Sequence, residues 1–418
     1  MARRFRIPRP RPLELGRRLV DLLGPTGDAA RQSLVALGFN SCTSFAAGAV
    51  LGSITHTFEE LPGLLVMVPA AIGLRGNVFG AVGNRISTAI HTGTFRLSAR
   101  RESVLVQNVL ASLSLTFILS LVLAVLARVV AIAFDIPNTI SVLDLALISI
   151  VGGVLASFVV LAATVVLSIG AVRREWDLDN LVAPTVSTLG DVVTIPALFL
   201  ATELVGHGSW TTSAAWVMLL ITVGVVIASL RTHLPLFRQI IRESMPVLVV
   251  ALLLSTLAGI AVEKQLTLFA ALPALLVLQP AFVSSAGALG GILSSRVATN
   301  LHLGLVQPEM RPGREARRDA LLVLLIGFPV FVFNGVGAHF VGRVLDEASP
   351  GLGWMVLASL IGGLFAVLFV IALAYYGTIA AWRMDVDPDT YGIPVVTASV
   401  DFVGVLALIL TLFALGIA

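Results

Sequence analysis

Charge is scarce in this chain of 418 residues. Asp, Glu, Lys and Arg make up 12% of it, about half of the roughly 25% carried by an ordinary soluble domain. With 57% hydrophobic residues and a mean hydropathy of +0.99, the shortage excludes a soluble globular fold. It points to an all-α polytopic membrane protein, whose lipid-facing surface needs no charge. Cysteine is almost missing too. Cys42 stands alone, so neither an internal disulfide nor a cysteine-built metal site is available. Paired histidines at helical spacing are also lacking, which argues against Zn²⁺ or Cu⁺. No apolar run directly follows the basic, proline-rich opening MARRFRIPRPRPLELGRR, so no cleavable signal peptide is expected. Residues 1–30 read instead as a basic cytoplasmic arm resting on anionic lipid headgroups. The net charge of +3 does not indicate nucleic acid, because the basic residues are scattered at segment ends where they orient a protein in the bilayer.

What the chain does contain is a stretch written twice. Residues 61–93, LPGLLVMVPAAIGLRGNVFGAVGNRISTAIHTG, reappear without a gap 211 positions later as LPALLVLQPAFVSSAGALGGILSSRVATNLHLG at 272–304. Thirteen of the 33 positions are identical. Apolar bias accounts for the leucines and valines, but not for Pro69/Pro280, Arg85/Arg296, His91/His302 and Gly93/Gly304 in register. A second pair of stretches, 176–198 and 386–408, matches at Asp177/Asp387, Asp179/Asp389, Pro184/Pro394 and Asp191/Asp401. Such a pattern is a duplicated structural unit, and transporters often place their site between two such units.

Apolar segments long enough to cross fall near 33–55, 61–84, 104–134, 140–171, 181–204, 212–230, 245–262, 268–294, 319–344, 352–381 and 392–416. The count of about eleven makes two five-helix units, 31–205 and 241–418, joined by a linker helix within 206–240. If the segments alternate, most arginine clusters fall on one side: the N-terminal arm, Arg96/Arg100/Arg101, Arg173/Arg174, Arg231/Arg238/Arg242, Arg311/Arg314/Arg317/Arg318 and Arg383. Lys264 and Arg343 are exceptions, and Arg128 lies near an outer end. This positive-inside pattern puts the N-terminus in the cytoplasm and the C-terminus outside. The linker returns the chain to its starting side, so the units are parallel, related by a pseudo-twofold axis along the membrane normal. The second and eighth segments are rich in Gly and Pro, as broken or closely packed helices are.

Asp191 and Asp401 are the most informative residues. A carboxylate near the middle of a membrane helix is costly and usually faces an ion path. The alternative is a carboxyl that ties two helices together, but two acids at equivalent places in twin units favour the ion site. Carboxylates and amide or carbonyl oxygens around a partly hydrated ion suit Mg²⁺. Residue chemistry alone says only a hard cation. Asn77 fits equally well as a path-lining amide or an interhelical hydrogen bond, and its counterpart is Ala288. Arg85 and Arg296 are expected to snorkel or to pair with acidic loops. For Asp177, Asp179, Asp387 and Asp389, a solvated loop balancing nearby arginines comes ahead of an ion-sensing or entry site. Glu59 and Glu60 would either concentrate cations at the outer mouth or be plain surface charge. His91 and His302 read as helix-end or packing residues.

The runs at 59–93 and 177–194 resemble the MgtE-type magnesium transporters, most closely the duplicated solute carrier family 41 form. The likeness rests on Leu74-Arg-Gly-Asn77 followed by Arg85-Ile-Ser-Thr88, and on Asp179-Asn180, Pro184 and Gly190-Asp191. It implies that two five-helix units form within one chain the pore that MgtE forms as a homodimer, with Mg²⁺ carried and no resident cofactor. It also implies that Asp191 and Asp401 match the pore aspartate, and Asn77 the Gly-Asn motif. The second unit departs, with Ser285-Ala286-Gly287-Ala288 where Gly-Asn would stand. No segment is long enough for a cytoplasmic sensing domain of the MgtE kind. Two other mechanisms fit the residues: exchange of Mg²⁺ against Na⁺ or H⁺, and an intramembrane enzyme holding Mg²⁺ and a lipid diphosphate. The second would need denser Asp-rich motifs than these.

Overall fold

A computed structural model describes residues 26–91, 95, 98, 100–174, 178–384 and 393–417. Among them there is no strand. The helices are α1 (Thr26–Ser53), α2 (Thr55–Glu60), α3 (Leu64–His91), α4 (Val104–Ala133), α5 (Val142–Arg174), α6 (Leu178–Thr202) and α7 (Ser209–Arg231). They continue as α8 (Pro235–Glu263), α9 (Leu266–Ala271), α10 (Ala274–His302), α11 (Arg314–Val344), α12 (Leu352–Arg383) and α13 (Ile393–Ala414). Ten of these are long and apolar enough to cross a membrane. The expected segment at 181–204 corresponds to α6, where the described apolar stretch Thr188–Thr202 is shorter.

The order of elements before α7 recurs after it, including a feature the hydropathy pattern hides. Short helices α2 and α9 each precede a long helix bearing an internal proline, Pro69 in α3 and Pro280 in α10. Both long helices run through their proline without a break. The ring removes one backbone donor per helix and leaves a carbonyl one turn earlier unbonded.

Packing is reciprocal across the two halves. Helix α1 lies against α10, α11 and α6, while α8 lies against α3, α4 and α13. The first helix of each half thus packs on the other half's proline-bearing helix. The crossing is made at glycine both times. A Cβ at Gly48 would meet the Val277 carbonyl oxygen at 2.5 Å, and one at Gly259 would overlap the Val66 carbonyl. Gly48 and Gly259 are 211 positions apart, as are Val66 and Val277. Small residues at membrane helix crossings let backbones approach and gain van der Waals contact where water supplies no driving force. Helix α7 touches only α5 and α4 to any extent. Its Trp210, Trp216 and Leu220 are exposed, as suits a linker facing lipid.

Candidate ion pathway

The helices α1, α3, α6, α10 and α13 surround a cavity of about 1210 Å³. Asp191 from α6, Asp401 from α13 and Asn77 from α3 all line it. Asp401 accepts a hydrogen bond from the Ser255 hydroxyl at 2.8 Å. A side chain at Gly73 would begin 3.6 Å from the Asp401 Oδ2, so that glycine leaves the carboxylate open to the cavity. Gly190 sits against the Arg75–Gly76 backbone, which holds α6 close to α3 just before Asp191.

Apart from Arg31, which is exposed, the other polar residues lining the cavity are neutral. Asn40 and Ser284 face each other from α1 and α10, with the Asn40 Nδ2 donating at 3.0 Å and the Ser284 hydroxyl 3.2 Å from Asn40 Oδ1. Ser41 and Ser285 lie 3.2 Å apart, and Asn334 donates to the Ser285 hydroxyl at 2.9 Å and the Ala281 carbonyl at 3.1 Å. The Ser44 hydroxyl is buried at the cavity without a hydrogen-bond partner. Such a donor set consists of oxygens and amides, with neither thiolate nor imidazole, and suits a hard cation. Six waters at roughly 30 Å³ each fill only about 180 Å³, so the volume admits a hydrated ion. Among the described residues, no group of three or more His, Cys, Asp or Glu gathers into a metal cluster.

The MgtE family, described as a divalent cation transporter, matches residues 68–201 and again 279–411. The chain belongs to the MgtE family. Its two matches begin 211 positions apart and each includes one of the cavity aspartates, Asp191 and Asp401, so this is a duplicated MgtE-like chain. It is 23% identical to human (Homo sapiens) solute carrier family 41 member 2, over 92% of this chain and 70% of that protein. It is likewise 23% identical to mouse (Mus musculus) solute carrier family 41 member 3, over 94% of this chain and 86% of that protein. A crystal structure of the eukaryotic MATE transporter AtDTX14 aligns over 92% of this chain and 96% of that one, at 13% identity and a TM-score of 0.31. The family is one of transporters and not of enzymes.

The other expected residues divide. In this MgtE-family chain, Glu59 and Glu60 lie on α2, exposed and away from the cavity, with Glu60 3.5 Å from His56. Asp177, Asp387 and Asp389 lie outside the described residues, and of Asp179 only the backbone, in α6, is described. His91 and His302 end α3 and α10, and their side chains are outside the described set. The arginines find partners other than acidic loops. Arg296 pairs with Asp319 of α11 at 2.7 Å, where Asn300 also donates at 3.0 Å. Arg85 donates to the Ser244 hydroxyl at 3.0 Å.

Residue reading missed Arg75, Asn40, Ser44 and Ser255. Arg75 is only 1% exposed and turns away from the cavity, donating to the Ala71 carbonyl at 2.9 Å and the Ser120 hydroxyl at 3.1 Å. Its guanidinium occupies the space that a side chain at Gly153 would need. A signal for the serines was present: Ser44-Phe-Ala-Ala-Gly48 and Ser255-Thr-Leu-Ala-Gly259 continue the 211-residue repeat into α1 and α8.

Proposed function

We propose that the chain carries Mg²⁺ across the membrane through this cavity, holding a partly hydrated ion between Asp191 and Asp401 with Asn77 beside them. The observation that carries this reading is the convergence of two repeat-related carboxylates on one cavity in a chain of the MgtE family. Mg²⁺ sheds water reluctantly and is commonly bound through one or two carboxylates. Two negative charges balance one dication, and neutral oxygens add contact without trapping it.

The architecture that goes with this function is eleven crossings, with α6 counted beside the ten long apolar helices. Residues 31–205 and 241–418 are two parallel units about a pseudo-twofold axis along the membrane normal, joined by 206–240. One copy of the chain forms the pathway. Residues 1–30 lie in the cytoplasm and the C-terminus outside. A divalent ion moving inward across 100 mV gains about 4.6 kcal/mol, twice 2.3, so uptake needs no other energy source.

Expression in cells lacking their own Mg²⁺ uptake tests the proposal. The wild-type chain is expected to restore growth at low Mg²⁺, and Asp191→Ala or Asp401→Ala to abolish that rescue. Rescue unaffected by either substitution would reject the site. Proteoliposome flux is expected to proceed under a membrane potential alone. A strict requirement for a Na⁺ or pH gradient would replace the passive pathway with exchange.

A further inference from the structure

The second half lacks an asparagine where the first has Asn77, yet an amide reaches the cavity there from another helix. Asn77 also lines a small space between α3 and α8, together with Gly73, Ala251 and Ser255. Positions 77 and 251 therefore face each other across that helix pair. Shifting each by the repeat distance of 211 turns Asn77 into Ala288, Gly73 into Ser284, Ala251 into Asn40 and Ser255 into Ser44. All four of the shifted residues line the main cavity. The α3–α8 pair thus reads amide on α3 and methyl on α8. The α10–α1 pair reads the reverse, with methyl on α10 and amide on α1.

We propose that Asn40 is the second ion-facing amide, the functional counterpart of Asn77 carried on α1. It completes a constellation in which each crossing helix pair supplies one amide and one serine, Asn77 and Ser255 from α3 and α8, Asn40 and Ser44 from α1, which lies against α10, beside the carboxylates Asp191 and Asp401. This rests on the reading of the cavity as a Mg²⁺ pathway. Two further observations support it. The Ser44 hydroxyl is 1% exposed, borders the cavity and has no partner, while its counterpart Ser255 donates to Asp401. Ser284 bonds to both ends of the Asn40 amide, which holds it at the wall of the cavity where Gly73 leaves space in the other half. Ser284 is a positioning residue, and Asn40 meets the ion or its water shell. The site keeps net charge −2 because its added ligands are neutral. Entry is then favourable, and release is not blocked.

The test uses the full chain, purified and reconstituted, with Mg²⁺ flux and the affinity of Mn²⁺ as a spectroscopic probe. Asn40→Ala is expected to lower both flux and Mn²⁺ affinity roughly tenfold. Adding Ala288→Asn to that variant, which returns the amide to the proline-bearing helix, is expected to recover most of the loss. Asn40→Asp, which keeps the shape, is expected to bind Mn²⁺ more tightly and to pass Mg²⁺ more slowly. An Asn40→Ala protein with wild-type Mn²⁺ affinity overturns the inference whatever its flux, because a packing role would leave the affinity alone. Weaker or unchanged Mn²⁺ binding by Asn40→Asp overturns it as well. If Asp191→Ala abolishes flux while Asn40→Ala leaves both flux and Mn²⁺ affinity at wild-type levels, this inference falls and the pathway stands. A wild-type chain that neither passes Mg²⁺ nor binds Mn²⁺ removes both.

Discussion

The repeat-related helices α3 and α10 share a backbone and differ in chemistry. In α3 the run through the membrane is Leu74-Arg75-Gly76-Asn77, and in α10 it is Ser285-Ala286-Gly287-Ala288. The first half buries a guanidinium behind the cavity wall with no carboxylate among its hydrogen-bond partners. The second buries alanine there and sets its ion pair nearer the helix end, at Arg296 and Asp319. What duplication preserved is the scaffold: the crossing glycines, the short helices and the carboxylate positions. What diverged is the set of neutral and positive groups around them. A homodimer must place identical groups on both sides of its axis. One chain with two halves is free of that constraint, so each half can specialise.

The comparison can be tested first at the crossing glycines, where the halves are alike. Gly48→Ala and Gly259→Ala each drive a methyl into a carbonyl of the facing helix and are expected to cost about 3 kcal/mol by overpacking. Gly80→Ala and Gly291→Ala, a repeat-related pair with open space around them, are expected to be neutral or slightly stabilising through helix propensity. Thermal melting in detergent measures all four, and unequal losses at 48 and 259 would break the twofold likeness.

A smaller effect is expected where the halves differ. Asp319 is 5% exposed and accepts from Arg296 and Asn300, whereas its counterpart in the first half is Asn108. Asp319→Asn is expected to lower stability by about 2 kcal/mol. That is less than for a fully buried pair, because Arg296 keeps some contact with water. Arg85→Gln, which loses only a serine contact, should cost less, and melting of the two variants side by side checks the order.

The smallest effect concerns Gly52 and Glu263, also 211 apart. Glu263 accepts from the Gly63 amide at 2.7 Å at the start of α3. At Gly52 no side chain exists, and the Glu347 carboxylate fills the space from the loop between α11 and α12. Both Glu347 oxygens are buried without a hydrogen-bond partner, and burial pushes the carboxyl above its ordinary value of 4.5. A raised carboxyl favours the protonated folded state, so its contribution is fully present below pH 4.5 and fades as pH rises through the higher folded value. Glu347→Gln is therefore expected to be modestly more stable than wild type at neutral pH and equal to it near pH 4. A constant difference across that range would show that the Glu347 carboxyl titrates alike in the folded and unfolded chain.

Much of the candidate site was legible because the repeat supplies a ruler. Asp191, Asp401 and Asn77 carry polar groups that an apolar helix does not otherwise need, and all three line one cavity. Asn40 escaped because identity matching aligns like with like, while here the amide moved to the facing helix. Glu59 and Glu60 are a different case. They adjoin the repeated stretch in sequence, but α2 holds them on the exposed surface. Arg296 was expected to snorkel or to meet an acidic loop, yet its partner Asp319 came from α11, since no local spacing relates 296 to 319.

By itself the sequence determined that the chain lives in a membrane, that it is built of helices and that it is written twice. Scarce charge, long apolar segments and a matched register of polar residues settle those points before any folding. Only the tertiary structure decided that α1 and α8 each lie against the opposite half, and so which groups share the cavity. In a helix apolar on nearly every side, the pattern of hydrophobic residues does not name a partner. Close approach of two backbones at a glycine does.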